Sequence, residues 1–291
     1  MKPASKGKIA YQGEPGANSH IACVQAAPDH EPMPCPTFED AFQAVESGKA
    51  ELAMIAIENT TAGRVADVHH LLPGSHLSIV GEHFLRIEFH LMAVPGVKLA
   101  DIKEVYSHVH ALGQCRKFIR TNRLKPVVAA DTAGAARELS ETGNRTHGAI
   151  ATKLAAKTYG LKILARNIED EEHNTTRFVI LAKKKMDARA GSGKVVTSFV
   201  FRVRNVPAAL YKAMGGFATN GVNMTKLESY QLEGQFSATQ FYADIEGHPD
   251  DPNVKLAFEE LGFFTSYMRV LGAYPASNYR VELARRRKSA A

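Results

Sequence analysis

The 291-residue chain is 45% hydrophobic, 23% charged and 8% aromatic, with no tryptophan. That balance excludes wholesale disorder, and at about 150 residues per domain it points to two domains with buried cores. The net charge is +6, but Lys2, Lys6, Lys8 and Arg285-Arg286-Arg287-Lys288 lie at the two ends, and removing these seven from the 36 basic residues leaves 29 against 30 acidic ones, no footprint for nucleic acid.

Basic residues open the chain without an apolar run behind them, which argues against a secretory signal. No stretch approaches the ~18 apolar residues of a membrane helix. Ile9-Ala10-Tyr11 reads as a strand, followed by a Gly/Pro/Asn turn and a helix over 19–27. Helical spacing of Phe38, Ala41, Phe42 and Val45 predicts a helix over 37–47, with Thr37 as N-cap and Gly48 as its stop. The unbroken apolar run 52–57 suits a buried parallel strand. A helix over 65–72 ends at Pro73-Gly74, and 83–94 is one long strand segment. Strands at 105–107, 127–130 and 148–151 then alternate with helices over 111–120, 132–140 and 153–159, and a strand at 178–181 closes the region. Such alternation means α/β architecture with largely parallel sheets, whose functional residues collect beyond the carboxyl ends of the strands.

A polar, glycine-containing linker spans 183–193. Beyond it come a strand at 195–203, a helix over 208–219, strands at 222–228 and 236–244, a helix over 253–261 and a strand at 265–271. That βαββαβ order is the ferredoxin-like split βαβ unit. Residues after Pro275 read as a basic tail.

Four polar clusters fall at strand ends. Glu58-Asn59-Thr60-Thr61-Ala62-Gly63 leads into a helix and offers backbone N–H groups to an anion, or else is an ordinary capped turn. Tyr106-Ser107-His108, with Gln114-Cys115 in the following helix, brings a hydroxyl and an amide suited to a carboxylate or hydroxyl ligand. Asp131-Thr132-Ala133 sits at a strand-to-helix junction, where N-capping is the simpler explanation. His173-Asn174-Thr175-Thr176-Arg177-Phe178 follows the acidic run 169–172 and places a guanidinium beside two hydroxyls and an amide. Neither His69-His70 nor His108-x-His110 has a zinc-site spacing, and the dinucleotide, P-loop and nucleophile-elbow fingerprints are missing. Cys23, Cys35 and Cys115 are odd in number and widely spaced, as expected of reduced thiols in a cytoplasmic protein.

Together these clusters resemble the prephenate dehydratase family. The similarity runs through Ile9-Ala10-Tyr11-Gln12-Gly13-Glu14-Pro15-Gly16-Ala17, Ile57-Glu58-Asn59-Thr60, Val105-Tyr106-Ser107-His108 and Asn167-Ile168-Glu169-Asp170 to Asn174-Thr175-Thr176-Arg177-Phe178, the N-x-T-R-F signature. The C-terminal unit resembles an ACT regulatory domain through 205–210 and 221–229. The resemblance implies a two-lobed, periplasmic-binding-protein-like catalytic domain over 1–186. Lobe one would be about 1–84 plus 166–186 and lobe two about 85–165, with an ACT domain over 194–275 and a tail over 276–291.

It further implies decarboxylative dehydration of prephenate to phenylpyruvate without metal or cofactor, feedback by L-phenylalanine, and a cytoplasmic homodimer or homotetramer. Neither nucleic acid nor membrane is an expected partner. Thr176 would hydrogen-bond or protonate the leaving hydroxyl, Asn59, Ser107, Gln114 and Asp131 would line the cleft, and Arg177 would orient Thr176 or pair with a carboxylate. Glu58, Thr60, Asn174, Thr175 and Phe178 would contact substrate. The phenylalanine site would use Asn205, Pro207, Ala208, Ala209, Leu210, Gly221, Asn223, Met224, Leu227, Glu228 and Ser229. Two departures stand out: Ala208 replaces a usual glycine, and Tyr230-Gln231 replace a usual Arg-Pro. Arogenate dehydratase and a non-catalytic small-molecule sensor remain the alternatives.

Overall fold

The computed structural model describes residues 7–171, 173–186, 188–191, 194–204, 206–231 and 238–290. The chain begins with β1 (Lys8–Gln12), α1 (Asn18–Ala26), β2 (Glu31–Cys35), α2 (Phe38–Glu46), β3 (Leu52–Asn59), β4 (Gly63–Arg64), α3 (Ala66–Gly74) and β5 (Ser78–Arg86). Next come β6 (His90–Ala93), β7 (Glu104–Ser107), α4 (Val109–Gln114), α5 (Arg116–Thr121), β8 (Lys125–Val128), α6 (Thr132–Thr142), β9 (His147–Ala151), α7 (Lys153–Thr158) and β10 (Lys162–Ala165). Strand β11 (Thr175–Ala182) returns to the first sheet, whose order is β2-β1-β3-β11-β5 with β4 on β3; the second sheet is β10-β6-β9-β7-β8. By its internal contacts the chain divides into residues 1–68 with 83–178, and 69–82 with 179–291.

Composition explains the centre of the first sheet. Ala53, Met54, Ile55 and Ile57 of β3 are fully buried, as an unbroken apolar run between two neighbouring strands requires. Helix α2 starts at the expected cap: Thr37 Oγ1 accepts from Asp40 N at 3.1 Å, and the Asp40 carboxylate accepts from Thr37 N at 3.3 Å. Strand β2 escaped the sequence pattern because it contains Pro32 and Pro34. Proline is tolerated there because β2 is an edge strand, parallel to β1.

The segment 83–94 is not one strand but the end of β5 and all of β6, which belong to different sheets. The second sheet is also less parallel than expected. Strand β7 runs parallel to β8 and β9, whereas β6 runs antiparallel to both β9 and β10.

The C-terminal region contains β12 (Val195–Val203), α8 (Ala209–Thr219), β13 (Met224–Gln231), β14 (Ala238–Glu246), α9 (Pro252–Phe264), β15 (Thr265–Pro275) and α10 (Asn278–Ala290). Its antiparallel sheet, β13-β14-β12-β15, has the expected βαββαβ connectivity, although residues 236 and 237 of the expected third strand lie outside the described residues. Phe199, Phe201, Phe217 and Phe258 fill its core, Phe258 edge-on to both Phe199 and Phe217. The supposed tail begins as an anchored helix: the Arg280 guanidinium meets Glu82 through Nε at 2.6 Å and Nη2 at 2.9 Å. Tyr230, at the position of the missing arginine, shares a 2.5 Å hydrogen bond with Nδ1 of buried His69 in α3.

Ala208 adopts φ 63° and ψ 13° at the N-cap of α8. An alanine Cβ crowds the backbone in that left-handed conformation, which a glycine adopts freely. Ala208→Gly is therefore expected to stabilise the protein by about 1 kcal/mol. A raised urea midpoint with an unchanged slope in chemical denaturation would show it.

Candidate active site

The site is built on the carboxyl end of β3, where the chain turns through Asn59-Thr60-Thr61-Ala62. The Asn59 side-chain oxygen accepts from the backbone N–H groups of Thr61 and Ala62 at 2.9 and 2.8 Å, and from the Thr61 hydroxyl at 2.7 Å. Main-chain donors thus fix which end of the amide is oxygen. The amide nitrogen is left to donate to Asn174 Oδ1 at 2.7 Å and to Thr176 Oγ1 at 2.9 Å. Gln114, ending α4, closes the circuit. Its oxygen accepts from Asn174 Nδ2 and its nitrogen donates to Thr61 Oγ1, both at 2.7 Å.

Among the described residues Thr176 only accepts, so its own hydroxyl proton is uncommitted there. Side chains alternate along β11, and Thr176 and Phe178 face a cleft of about 300 Å³. Asn59, Gln114 and Asp131 line the same cleft, together with Asn18 and Ser19 of α1 and with His108 and His110. Helix α1 has no side-chain cap, and the N–H groups of Asn18, Ser19 and His20 make no hydrogen bond among the described residues. Three free donors at a nine-residue helix terminus favour an anion.

The loop before α1 is pinned from the other sheet. Tyr159 Oη donates to Pro15 O at 2.8 Å, and Thr152 Oγ1 to Gly16 O at 2.5 Å. Gly16 has φ 94°, and a Cβ there would lie 2.6 Å from Ala155 Cα, so only glycine fits.

Burial, with Asp170 and Glu169 adding to it, pushes the Cys115 thiol upward, so the cysteine beside Gln114 stays protonated and inert. Burial lowers His108, with nearby His110 lowering it further and Asp131 acting against both. Among the described residues no group of three or more His, Cys, Asp or Glu side chains is placed to hold a metal ion.

Residues 9–186 match the family model described as prephenate dehydratase. The chain belongs to the prephenate dehydratase family. It is 52% identical over 272 residues to a bifunctional N-acyl-homoserine lactone acylase/prephenate dehydratase of Komagataeibacter europaeus, covering 94% of this chain and 97% of that one. It is 39% identical to arogenate dehydratase/prephenate dehydratase 1 of Arabidopsis thaliana, over 93% of this chain and 72% of the relative. Among solved structures, a quorum-quenching acylase superposes with TM-score 0.88 at 52% identity, covering 94% and 99% of the two chains. Prephenate dehydratase of Arthrobacter aurescens in complex with L-Phe superposes with TM-score 0.85 at 30% identity, covering 93% and 90%. Membership makes the chain a lyase of phenylalanine biosynthesis.

Several residues expected to meet substrate do other work in this dehydratase. Ser107 is fully buried, does not line the cleft, and donates to Ile150 O at 2.6 Å. Thr60 donates to His173 O and accepts from Thr175 N, stitching its loop to β11; the Thr175 hydroxyl also donates to His173 O. Asn174 is buried inside the amide network. Asp131 lines the cleft but also caps α6, accepting from Gly134 N at 2.6 Å.

Arg177 faces the other side of β11. Strand alternation turns it away from Thr176, and it is buried with Nη1 2.9 Å from Glu58 Oε1. It therefore ties β3 to β11 one residue from both Asn59 and Thr176, and the carboxylate it meets is the chain's own Glu58. Sequence reasoning missed Asn18, Ser19 and His110, because an uncapped helix start leaves no side-chain signature and a lone histidine carries no metal spacing.

None of the expected phenylalanine residues is among the described residues that line this cleft. Asn205 falls outside the described residues. Pro207 and Ala208 precede α8, Ala209 and Leu210 begin it, and Gly221 precedes β13 at φ 64°. Asn223 donates to Glu246 Oε2 at 3.0 Å. Along β13, Met224 and Glu228 share one face, while exposed Leu227 and Ser229 occupy the other.

Removing Arg177 would break its buried ion pair with Glu58. Arg177→Met is expected to destabilise the protein by about 3 kcal/mol, at the low end for breaking a buried pair because Glu58 keeps some solvent. Urea denaturation followed by circular dichroism measures it.

Proposed function

We propose that this chain converts prephenate to phenylpyruvate, carbon dioxide and water, with residues 1–186 as the catalytic domain in two lobes and Thr176 as the group that meets the leaving hydroxyl. The observation that carries this is the unspent proton of Thr176, held toward the cleft by the Asn59 amide. As the bond to the ring carboxylate breaks, its electron pair enters the ring. The bond to the ring hydroxyl breaks at the opposite carbon, and the departing oxygen takes up a proton as water.

A threonine hydroxyl is a weak acid, so donation is concerted with departure rather than a separate ionisation. The Asn59 N–H on Thr176 Oγ1 supports the negative charge that develops there. Aromatisation drives the step, which calls for no electron sink. The free N–H groups of α1 receive one substrate carboxylate, Phe178 supplies an apolar wall, and Gln114 and Asn174 hold the donors in register. Glu58 and Arg177 act through the strands, as positioning residues.

Residues 194–275 form, in the same proposal, an ACT domain that binds L-phenylalanine through Asn223 and the main chain near Ala209 and Leu210. The βαββαβ sheet, the 205–210 and 221–229 motifs and the relative solved with L-Phe support this. Exposed apolar side chains such as Phe263, 76% accessible, and Leu227 suit assembly as a homodimer or homotetramer, and reduced Cys23, Cys35 and Cys115 suit the cytoplasm. No helix of the described residues is long and apolar enough to cross a membrane.

The Komagataeibacter relative's name makes amide hydrolysis a second activity to assay in the same cleft. Among the described residues, however, neither Ser19 nor Thr176 has a histidine or carboxylate within hydrogen-bond distance to activate it. The geometry favours the dehydratase.

Thr176→Ala should lower kcat for prephenate by about 100-fold with little change in KM, while Thr176→Ser retains much of the activity. Phenylpyruvate absorbance reads this directly, and near-normal turnover by the alanine variant would remove Thr176 from the mechanism. Parallel assays with arogenate and an N-acyl-homoserine lactone separate the alternatives. L-Phenylalanine should weaken prephenate binding by about 5- to 150-fold, the span of ordinary allosteric couplings, and Asn223→Ala should blunt that response.

A further inference from the structure

The cleft proposed to receive a dianion has no fixed positive charge: among the described residues lining it there is no lysine or arginine. Its ionisable lining groups are His108 and His110 on α4 and Asp131 before α6. The other elements facing it contribute neutral groups, Gln12 from β1, Asn18 and Ser19 from α1 and Thr176 from β11. With both histidines neutral the lining carries only the charge of Asp131, which repels prephenate. Beyond the carboxylate given to α1, the second one has no cation among the described lining residues.

We propose that His108 and His110 form a one-proton pair that becomes cationic as the dianionic substrate binds, making the pair the anion-selecting element of this cleft. This rests on the dehydratase reading. The two rings lie 5.0 Å apart between centroids, close enough that two charges would repel and one proton serves both. His108 caps α4, its Nδ1 accepting from His110 N at 3.4 Å, so its neutral form carries the proton on Nε2. Burial disfavours the cationic form of His108 in the empty cleft, its neighbour His110 adds to that, and Asp131 opposes both. A bound carboxylate reverses that balance and raises the proton affinity of the pair.

The sign of the pH dependence follows. Above the apparent pKa of the empty pair, binding requires proton uptake, so KM for prephenate rises with pH by as much as about tenfold per unit. Kinetics of the full-length enzyme between about pH 6.5 and 8.5, within the range where histidines titrate, test this against two variants. His110→Lys supplies a permanent cation and should flatten the dependence of KM on pH. The double variant His108→Asn/His110→Gln retains a cap for α4 but no titratable base. It should raise KM at the lowest pH by about tenfold and also lose the slope, the loss falling on KM rather than kcat. Circular dichroism of both variants confirms folding. A wild-type KM that is flat with pH, or a His110→Lys enzyme that keeps the wild-type slope, overturns the inference while leaving the dehydratase reading intact. Lack of prephenate turnover by the wild-type enzyme overturns both.

Discussion

One side-chain amide sets the direction of every hydrogen bond around it in the cleft. Two backbone N–H groups of its own turn hold the Asn59 oxygen, which leaves the amide nitrogen only one way to point. Everything around it inherits that choice: Asn174 must present an oxygen, Gln114 must present its oxygen to Asn174, and Thr176 must accept rather than donate. A network whose polarity is set by the main chain cannot relax by flipping an amide, and low exposure makes each unmet partner costly. The Thr176 hydroxyl consequently has its orientation set by protein groups alone.

The strands beneath supply the rigidity such a network needs. Asn59 and Thr176 stand on adjacent strands, and the buried Arg177–Glu58 pair joins those strands one residue away. Ion pairs of this sort are weak contributors to net stability but strong enforcers of register, since a slip strands a charge away from water. The cleft's other wall depends on packing: Gly16 admits the backbone of α7 so closely that the uncapped end of α1 is held beside the amide network.

Much of this was legible in the sequence where period and composition speak plainly. The apolar run of β3, the Thr37 capping box and the βαββαβ order all follow from local pattern, and Asn59, Gln114 and Thr176 line one cleft. Direction was not legible. Whether Arg177 or Thr176 faces the cleft depends on the phase of one strand, and a motif written as consecutive letters hides the fact that neighbours point opposite ways. Ser107 and Thr60 misled for a related reason, because a hydroxyl serves a buried carbonyl as readily as a ligand. Prolines masked β2, whose edge position only the assembled sheet reveals, and α10 has no apolar periodicity to announce it.

The position of β11 has a consequence for how the enzyme comes into being. The strand that carries Thr176 inserts between β3 and β5, yet it follows them by roughly a hundred residues of chain, and the Asn59–Thr176 bond spans 117 positions. A ribosome therefore completes β3, β5 and the whole second sheet before the strand that joins β3 to β5 exists. Until β11 emerges, the apolar flank of β3 has an open hydrogen-bonding edge, the kind of surface that pairs with strangers. Non-local closure of this sort is slow, and it makes the last-made strand of the sheet both the bearer of Thr176 and the seal on the nascent fold.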